Sequence, residues 1–241
     1  MKRSICALAL PLIILSPVIA SSGCSAGGLA SDAAAPGTGL FDARQPATTG
    51  RYIPLSVGAG WTWNGFDTLS GLSGASDSRV EALETLTGAK AGVSAYRIRS
   101  VTLTGSTVNW QEDTGSATVR HREEFLDPAG ALKSDHLFTP RKLRLDEDPA
   151  RIVVGASWTE TYADAVTAPL AQPSSTVTVT WTVEAVDETV TVPAGTFACL
   201  RVHSIDSGLM GYDSTFWFAR NIGKVKESGT EVRELVGYSI P

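Results

Sequence analysis

Side chains able to act as acids, bases or nucleophiles are sparse in this chain. Its three histidines are His121, His136 and His203. His121 and Glu123 are two positions apart in a segment with strand-like alternation, which would place both on one face and Glu124 on the other. Such a pair could begin a metal site or a general-base site, although a solvated strand face uses the same residues. Gly155-Ala156-Ser157-Trp158-Thr159 approaches the nucleophile elbow G-x-S-x-G but lacks its closing glycine. Asp146-Glu147-Asp148 follows Arg141, Lys142 and Arg144. A calcium loop wants carboxylates at alternate positions and a glycine, so an exposed charged loop is expected here. There is no H-E-x-x-H and no paired C-x-x-C, and no metal site or cofactor is expected.

Cys199 sits between Ala198 and Leu200 in an alternating segment, and a buried, inert thiol is the expectation, with His203 four residues on along the same face. The six tryptophans are more suggestive. Trp61 and Trp63 would point the same way on one strand. With Trp110, Trp181 and Trp217 they form a candidate ligand pocket, since aromatics of this kind line lipid and carbohydrate sites. Filling the core of a large sheet is the competing role for these five and for Trp158.

The elements that must carry these residues are strands. In 175–186, Val177, Val179, Trp181, Val183 and Ala185 share one face, and Thr176, Thr178, Thr180, Thr182 and Glu184 share the other. This is period 2, with β-branched residues throughout, and it excludes a helix. At about 3.3 Å per residue the strand spans roughly 40 Å, which implies a large, twisted, curved sheet. Val192-Pro193-Ala194-Gly195-Thr196 reads as a turn, with Gly195 at the position that needs positive φ, and a strand over 197–204 follows to close a hairpin. Further strands are expected at 60–66, 78–87, 94–103, 107–112, 117–124, 133–138, 157–163, 214–219, 224–227 and 232–239, separated by turn signals such as Asp113-Thr114-Gly115 and Asn221-Ile222-Gly223. Only 80–86 could also make a short helix. The fold class is therefore all-β and mainly antiparallel, with little helix, as a large curved sheet closing towards a barrel or as a sandwich.

The chain has 241 residues, with 20 Lys+Arg against 25 Asp+Glu and a net charge of −5. That balance argues against nucleic acid as a partner. The hydrophobic share of 43% argues against disorder of the whole chain, and three cysteines are too few for a disulfide scaffold. Residues 1–23 read as a secretory signal: Lys2 and Arg3 precede an apolar stretch that is short for a span and is broken by Pro11 and Pro17. Without them the balance is 18 against 25, or −7. Ser21-Ser22-Gly23-Cys24 resembles a bacterial lipobox, in which the signal peptidase cuts before a lipidated cysteine; Ser21 stands where leucine is usual. The resemblance implies lipid attachment at Cys24 and a membrane as partner through acyl chains, palmitate among them. Ser25, in place of the aspartate that retains enteric lipoproteins at the inner membrane, points to the outer membrane; a secreted or periplasmic protein is the alternative. With Cys6 removed and Cys24 lipidated, Cys199 has no partner for a disulfide. Of residues 24–50, 19 of 27 are Ala, Gly, Ser, Thr or Pro, which reads as a flexible tether with a reach of roughly 30 Å. A single domain over 51–241 follows, and nothing points to an oligomer.

Three motifs carry a family resemblance. Tyr52-Ile53-Pro54-Leu55-Ser56-Val57-Gly58 with Trp61-Thr62-Trp63 opens the domain. Val192-Pro193-Ala194-Gly195-Thr196-Phe197 lies in its last third. Thr215-Phe216-Trp217-Phe218-Ala219 with Ile222-Gly223-Lys224-Val225-Lys226 lies near its end. In order and spacing these resemble the TapB-like family of bacterial envelope proteins. The resemblance implies an antiparallel β fold and frequent lipoprotein anchoring, and it carries over no catalytic residue. The expected function is that of a non-enzymatic envelope lipoprotein that binds an apolar or amphipathic ligand or an envelope protein partner. A structural or assembly lipoprotein without ligand is the alternative, and a hydrolase is disfavoured by the missing motifs.

Overall fold

The computed structural model describes residues 50–241, apart from Leu69, Leu103, Leu209 and Met210. The signal segment 1–23, Cys24 and the tether up to residue 49 lie outside the described residues. Twelve strands follow in order: β1 (Gly60–Asp67), β2 (Ser73–Thr85), β3 (Ser94–Thr102), β4 (Gly105–Asp113), β5 (Ala117–Leu126), β6 (Leu132–Asp146), β7 (Ser157–Ala168), β8 (Ser175–Val192), β9 (Gly195–Asp206), β10 (Asp213–Ala219), β11 (Gly223–Ser228) and β12 (Glu231–Ser239). Each pairs antiparallel with its neighbours in the chain, and β1 pairs with β12 from Gly60↔Ser239 to Asp67↔Glu231. The sheet is thus a closed up-and-down barrel, and the sandwich alternative is set aside. Residues 80–85 are in β2, Leu86 follows its end, and a single 3-10 turn occupies Gly88–Lys90.

Period-2 alternation sorts the wall. On β8, Val177, Val179, Trp181 and Val183 are buried, and they join Tyr162, Leu200, Val202 and Phe218 in the main core cluster. Leu200 and Val202 are fully enclosed, each contributing about 1.5–3 kcal/mol by leaving water. The opposite face carries ion pairs along the barrel's outside: Arg201 with Glu184 at 2.9 Å, Arg99 with Glu81 at 3.1 Å and Lys226 with Glu234 at 3.0 Å. An outer wall of threonines and ion pairs suits water and would be costly in a bilayer.

The expected exposed loop at 141–148 is corrected in part by the structure: Arg141 and Asp148 are exposed, and the residues between them are not. β6 runs through Arg141, Lys142 and Arg144 to Asp146. Its pairing with β7 stops at Thr139↔Ala163, beside Pro140, which has no N–H to give a ladder. Beyond the exposed Arg141 both faces of β6 are covered. Leu143 and Leu145 enter the core, and Lys142 and Arg144 turn to the interior. Glu147 is not exposed either: its carboxylate accepts the backbone N–H groups of Tyr52 (2.8 Å) and Ile53 (3.4 Å).

These bonds fix a plug. The segment before β1 crosses one end of the barrel, where Tyr52 is buried beneath Arg220 at 4.1 Å from ring centre to guanidinium, and Gly58 N–H donates to the Val80 carbonyl at 2.9 Å. The tip of the β8–β9 hairpin folds against β12 at this end, with Ala194 N–H donating to the Leu235 carbonyl at 2.9 Å. Trp61 Nε1 donates to the Ile222 carbonyl at 2.5 Å, and Gly223 leaves room for the indole. The three motifs quoted above therefore meet, and together they build the closed end. By the meander topology, the turns after β1, β3, β5, β7, β9 and β11 gather at the opposite end, the mouth.

Candidate functional site

The barrel interior is not filled. A cavity of about 470 Å³ has Ile53 and Leu55 of the plug as its floor and Trp61, Trp63, Ile98, Phe125 and Phe218 on its walls, with Asn109 and Gln111 among them. A second cavity of about 310 Å³ is lined by Val179, Trp181, Phe216, Ser204 and Tyr212. Arg144, Glu227 and Glu231 line both. The volumes fall in the range of small-ligand sites, roughly 300–1,000 Å³.

Charged residues reach this interior through breaks in the strand period. On β5, Arg122 pairs with Trp110 and Arg120 with Gln111, so His121 is an extra residue, a bulge. Arg120 and Glu123 consequently both face the lumen, 2.5 Å apart. Across β10–β11, Trp217 pairs with Lys226 and Phe218 with Lys224, so Val225 is bulged and Lys224 meets Glu227 in the same way. Burial pushes the Glu227 carboxyl up, but Lys224, with Arg233 and Arg144, outweighs it and holds the group below its ordinary range. Arg233 pairs with Glu231.

Two cations make no such ion pair, although Glu123 acts on both without contact. Lys142 rests near the rings of Phe138 (5.5 Å) and Tyr162 (5.6 Å), and burial pushes its ammonium down. Arg144 makes no ion pair or hydrogen bond among the described residues. Burial, followed by the like charge of Arg120, brings its guanidinium down to about 10.

Of the five tryptophans expected at a ligand pocket, Trp61 and Trp63 stack 6.4 Å apart on the wall of the larger cavity, and Trp181 lines the smaller one. Trp110 and Trp217 line neither. Trp110 lies on the other face from Asn109 and Gln111, donates to Glu84 at 2.9 Å and stacks under Arg122; Trp217 lies under Lys226 at 5.8 Å. Trp158 packs against the core cluster under Arg151.

His121 and Glu123 do not share a face, because the bulge separates them: His121 Nε2 is 2.8 Å from Glu112. His136 is bonded to Asp164 at 2.9 Å, and His203 to Asp213 at 2.7 Å. Ser157 Oγ donates to the Trp181 carbonyl. Cys199 is fully buried, and burial, aided by Glu188, raises its thiol to about 12. Among the described residues no cluster of three or more His, Cys, Asp or Glu could hold a metal.

The residues that sequence reasoning missed are Arg120, Lys142, Arg144, Lys224, Glu227 and Arg233. The available signal was opposite charge at i and i+3 within strands, at Arg120/Glu123 and Lys224/Glu227, a spacing that strict alternation places on opposite faces.

No family profile matches the chain, and no curated protein sequence matches it. The TapB-like resemblance rests on its three motifs. Two solved structures are similar in shape. A candidate lipoprotein from Parabacteroides distasonis is 12% identical with a TM-score of 0.33, and the match covers 80% of this chain and 100% of the other. A candidate exported protein with a YmcC-like fold from Bacteroides fragilis is 15% identical with a TM-score of 0.35, at the same coverage.

Proposed function

We propose that this protein is a non-enzymatic binding protein of the bacterial envelope, and that its barrel lumen receives an amphipathic ligand through the mouth. The observation that carries the reading is the pair of adjoining cavities, about 470 and 310 Å³, with aromatic walls and a polar junction, inside a barrel sealed at one end. The sequence supports the location: a signal-like start and the lipobox-like Cys24 make an exported, lipid-anchored protein at the outer membrane the matching setting. Native mass spectrometry of the full chain tests the binding reading. A co-purifying mass released on denaturation is expected. A mass equal to the bare polypeptide, together with no uptake of added amphipaths, would favour a structural lipoprotein instead. Metabolic labelling with a fatty-acid analogue tests the anchor: label should appear in the wild type and vanish in Cys24→Ala, and label retained in the variant would defeat the assignment.

A further inference from the structure

The charges around the larger cavity do not cancel. Its lining holds five cations (Arg120, Lys133, Arg144, Lys224 and Arg233) and three carboxylates (Glu123, Glu227 and Glu231). Every one of these carboxylates is bound to a lining cation: Glu123 to Arg120, Glu227 to Lys224 and Glu231 to Arg233. The two cations left over differ in place. Lys133 is exposed near the start of β6, at the mouth. Arg144 is deep, and the surface it keeps faces the two cavities it lines. Glu160, which also lies in the interior, has both carboxylate oxygens on the Leu143 N–H at 3.1 and 2.9 Å, and its charge acts on Lys142 and Arg144 without an ion pair. The smaller cavity adds Lys142, Asp67 and Asp206, so the two together hold six cations against five carboxylates and the excess is concentrated on the larger one.

A buried charge without a hydrogen-bonded counter-ion is costly, and a guanidinium presents a planar fork of donors matched to an oxyanion. We propose that Arg144 is the head-group site of the lumen, taking the carboxylate or other oxyanion end of an amphipathic ligand whose apolar chain lies along Trp61, Trp63 and Phe218. This deepens the binding reading above and rests on it. The larger cavity is the route of entry, because the exposed cation Lys133 stands on its lining at the mouth.

The test is a titration of the full chain, followed by tryptophan fluorescence, with three probes below their aggregation limits: laurate, lauryl alcohol and inorganic phosphate. Laurate is expected to bind roughly tenfold to a hundredfold more tightly than the alcohol, the range for one charge-assisted contact. Inorganic phosphate should not displace it at comparable concentration. Arg144→Gln should reduce the laurate-to-alcohol ratio to about one while alcohol binding persists, and Arg144→Lys should keep part of the ratio. Equal affinity for laurate and alcohol in the wild type, or an undiminished ratio in Arg144→Gln, overturns the head-group assignment and leaves the lumen reading standing. Displacement by phosphate as effective as by laurate overturns the amphipath. Binding of none of the three overturns the lumen reading itself. Should Arg144→Gln not fold, the wild-type ratio and Arg144→Lys decide the matter.

Discussion

Arg120 and Glu123 lie three positions apart on β5, yet both point into the lumen, with Nη1 and Oε1 2.5 Å apart. The extra residue His121 makes this possible by turning the strand half a period between them. Their side chains keep only 10% and 11% of their exposure, so each charge depends on the other. Glu123→Gln should therefore destabilise the barrel by about 3 kcal/mol in urea denaturation, the lower end for breaking an enclosed ion pair. Arg120→Met combined with Glu123→Leu should recover most of that loss. A single variant as stable as the wild type would show that the pair is screened by water in the cavity.

The same bulge explains what could be read from the sequence and what could not. Alternation identified every strand, because most of the wall obeys period 2: Val177, Val179, Trp181 and Val183 inward, threonines outward. It also placed Trp61 and Trp63 on one face. It failed where a residue is inserted. His121 was expected beside Glu123 and is instead paired with Glu112, while Arg120 takes the place at Glu123. It failed again at Lys142 and Arg144, because a run of charges between leucines reads as a solvated edge. Only the covering of both faces of β6 beyond Arg141 reveals it as interior. Trp110 and Trp217 show a further limit. Aromatic character says that a residue is covered, and does not say from which side of the wall.

Two glycines separate backbone strain from steric collision. Gly105 has φ +138, and a Cβ there would collide with the Leu126 carbonyl oxygen. Gly195 has a similar φ, +140, but a Cβ there would meet only the Phe197 ring at an ordinary 3.5 Å. Gly105→Ala should cost roughly 2–3 kcal/mol, and Gly195→Val, which meets mainly the conformational penalty, roughly 1–2 kcal/mol. Thermal melts of both variants check the order. An unchanged melting temperature in Gly195→Val would mean that the hairpin turn tolerates a side chain at positive φ.

His136 gives the barrel a pH response. Its hydrogen bond to Asp164, 2.9 Å away, raises its pKa above the ordinary 6.5 against the opposing effect of burial. The folded state then holds a proton that the unfolded chain has already released. The stabilisation is complete below about 6.5, and is lost as the pH rises through the higher folded value. Melting temperature should accordingly fall across the upper part of the window between about pH 5 and 8. His136→Gln should flatten this segment of the profile, and an identical slope in the variant would assign the response to another group.

Arg144 should be a residue the fold would be more stable without. It makes no ion pair or hydrogen bond among the described residues; Glu123 and Glu227 act on it without contact, and the burial that brings its guanidinium down to about 10 outweighs them as a penalty on the charged form. Methionine fills a similar volume, would meet the apolar Val179, Trp181 and Phe216 across the cavity and carries no charge to desolvate. Replacing enclosed charge by apolar side chains of like size often stabilises proteins, and natural sites accept such a cost where a ligand later supplies the missing partner. Arg144→Met should raise the unfolding free energy of the ligand-free protein by about 1–3 kcal/mol, while abolishing the preference for laurate over lauryl alcohol. Urea denaturation of ligand-free protein, with and without added laurate, reads both effects at once. Laurate should stabilise the wild type by mass action and the variant much less. A variant less stable than the wild type would mean that Arg144 already has its counter-charge within the fold, and that the lumen holds no place for the anion of a ligand.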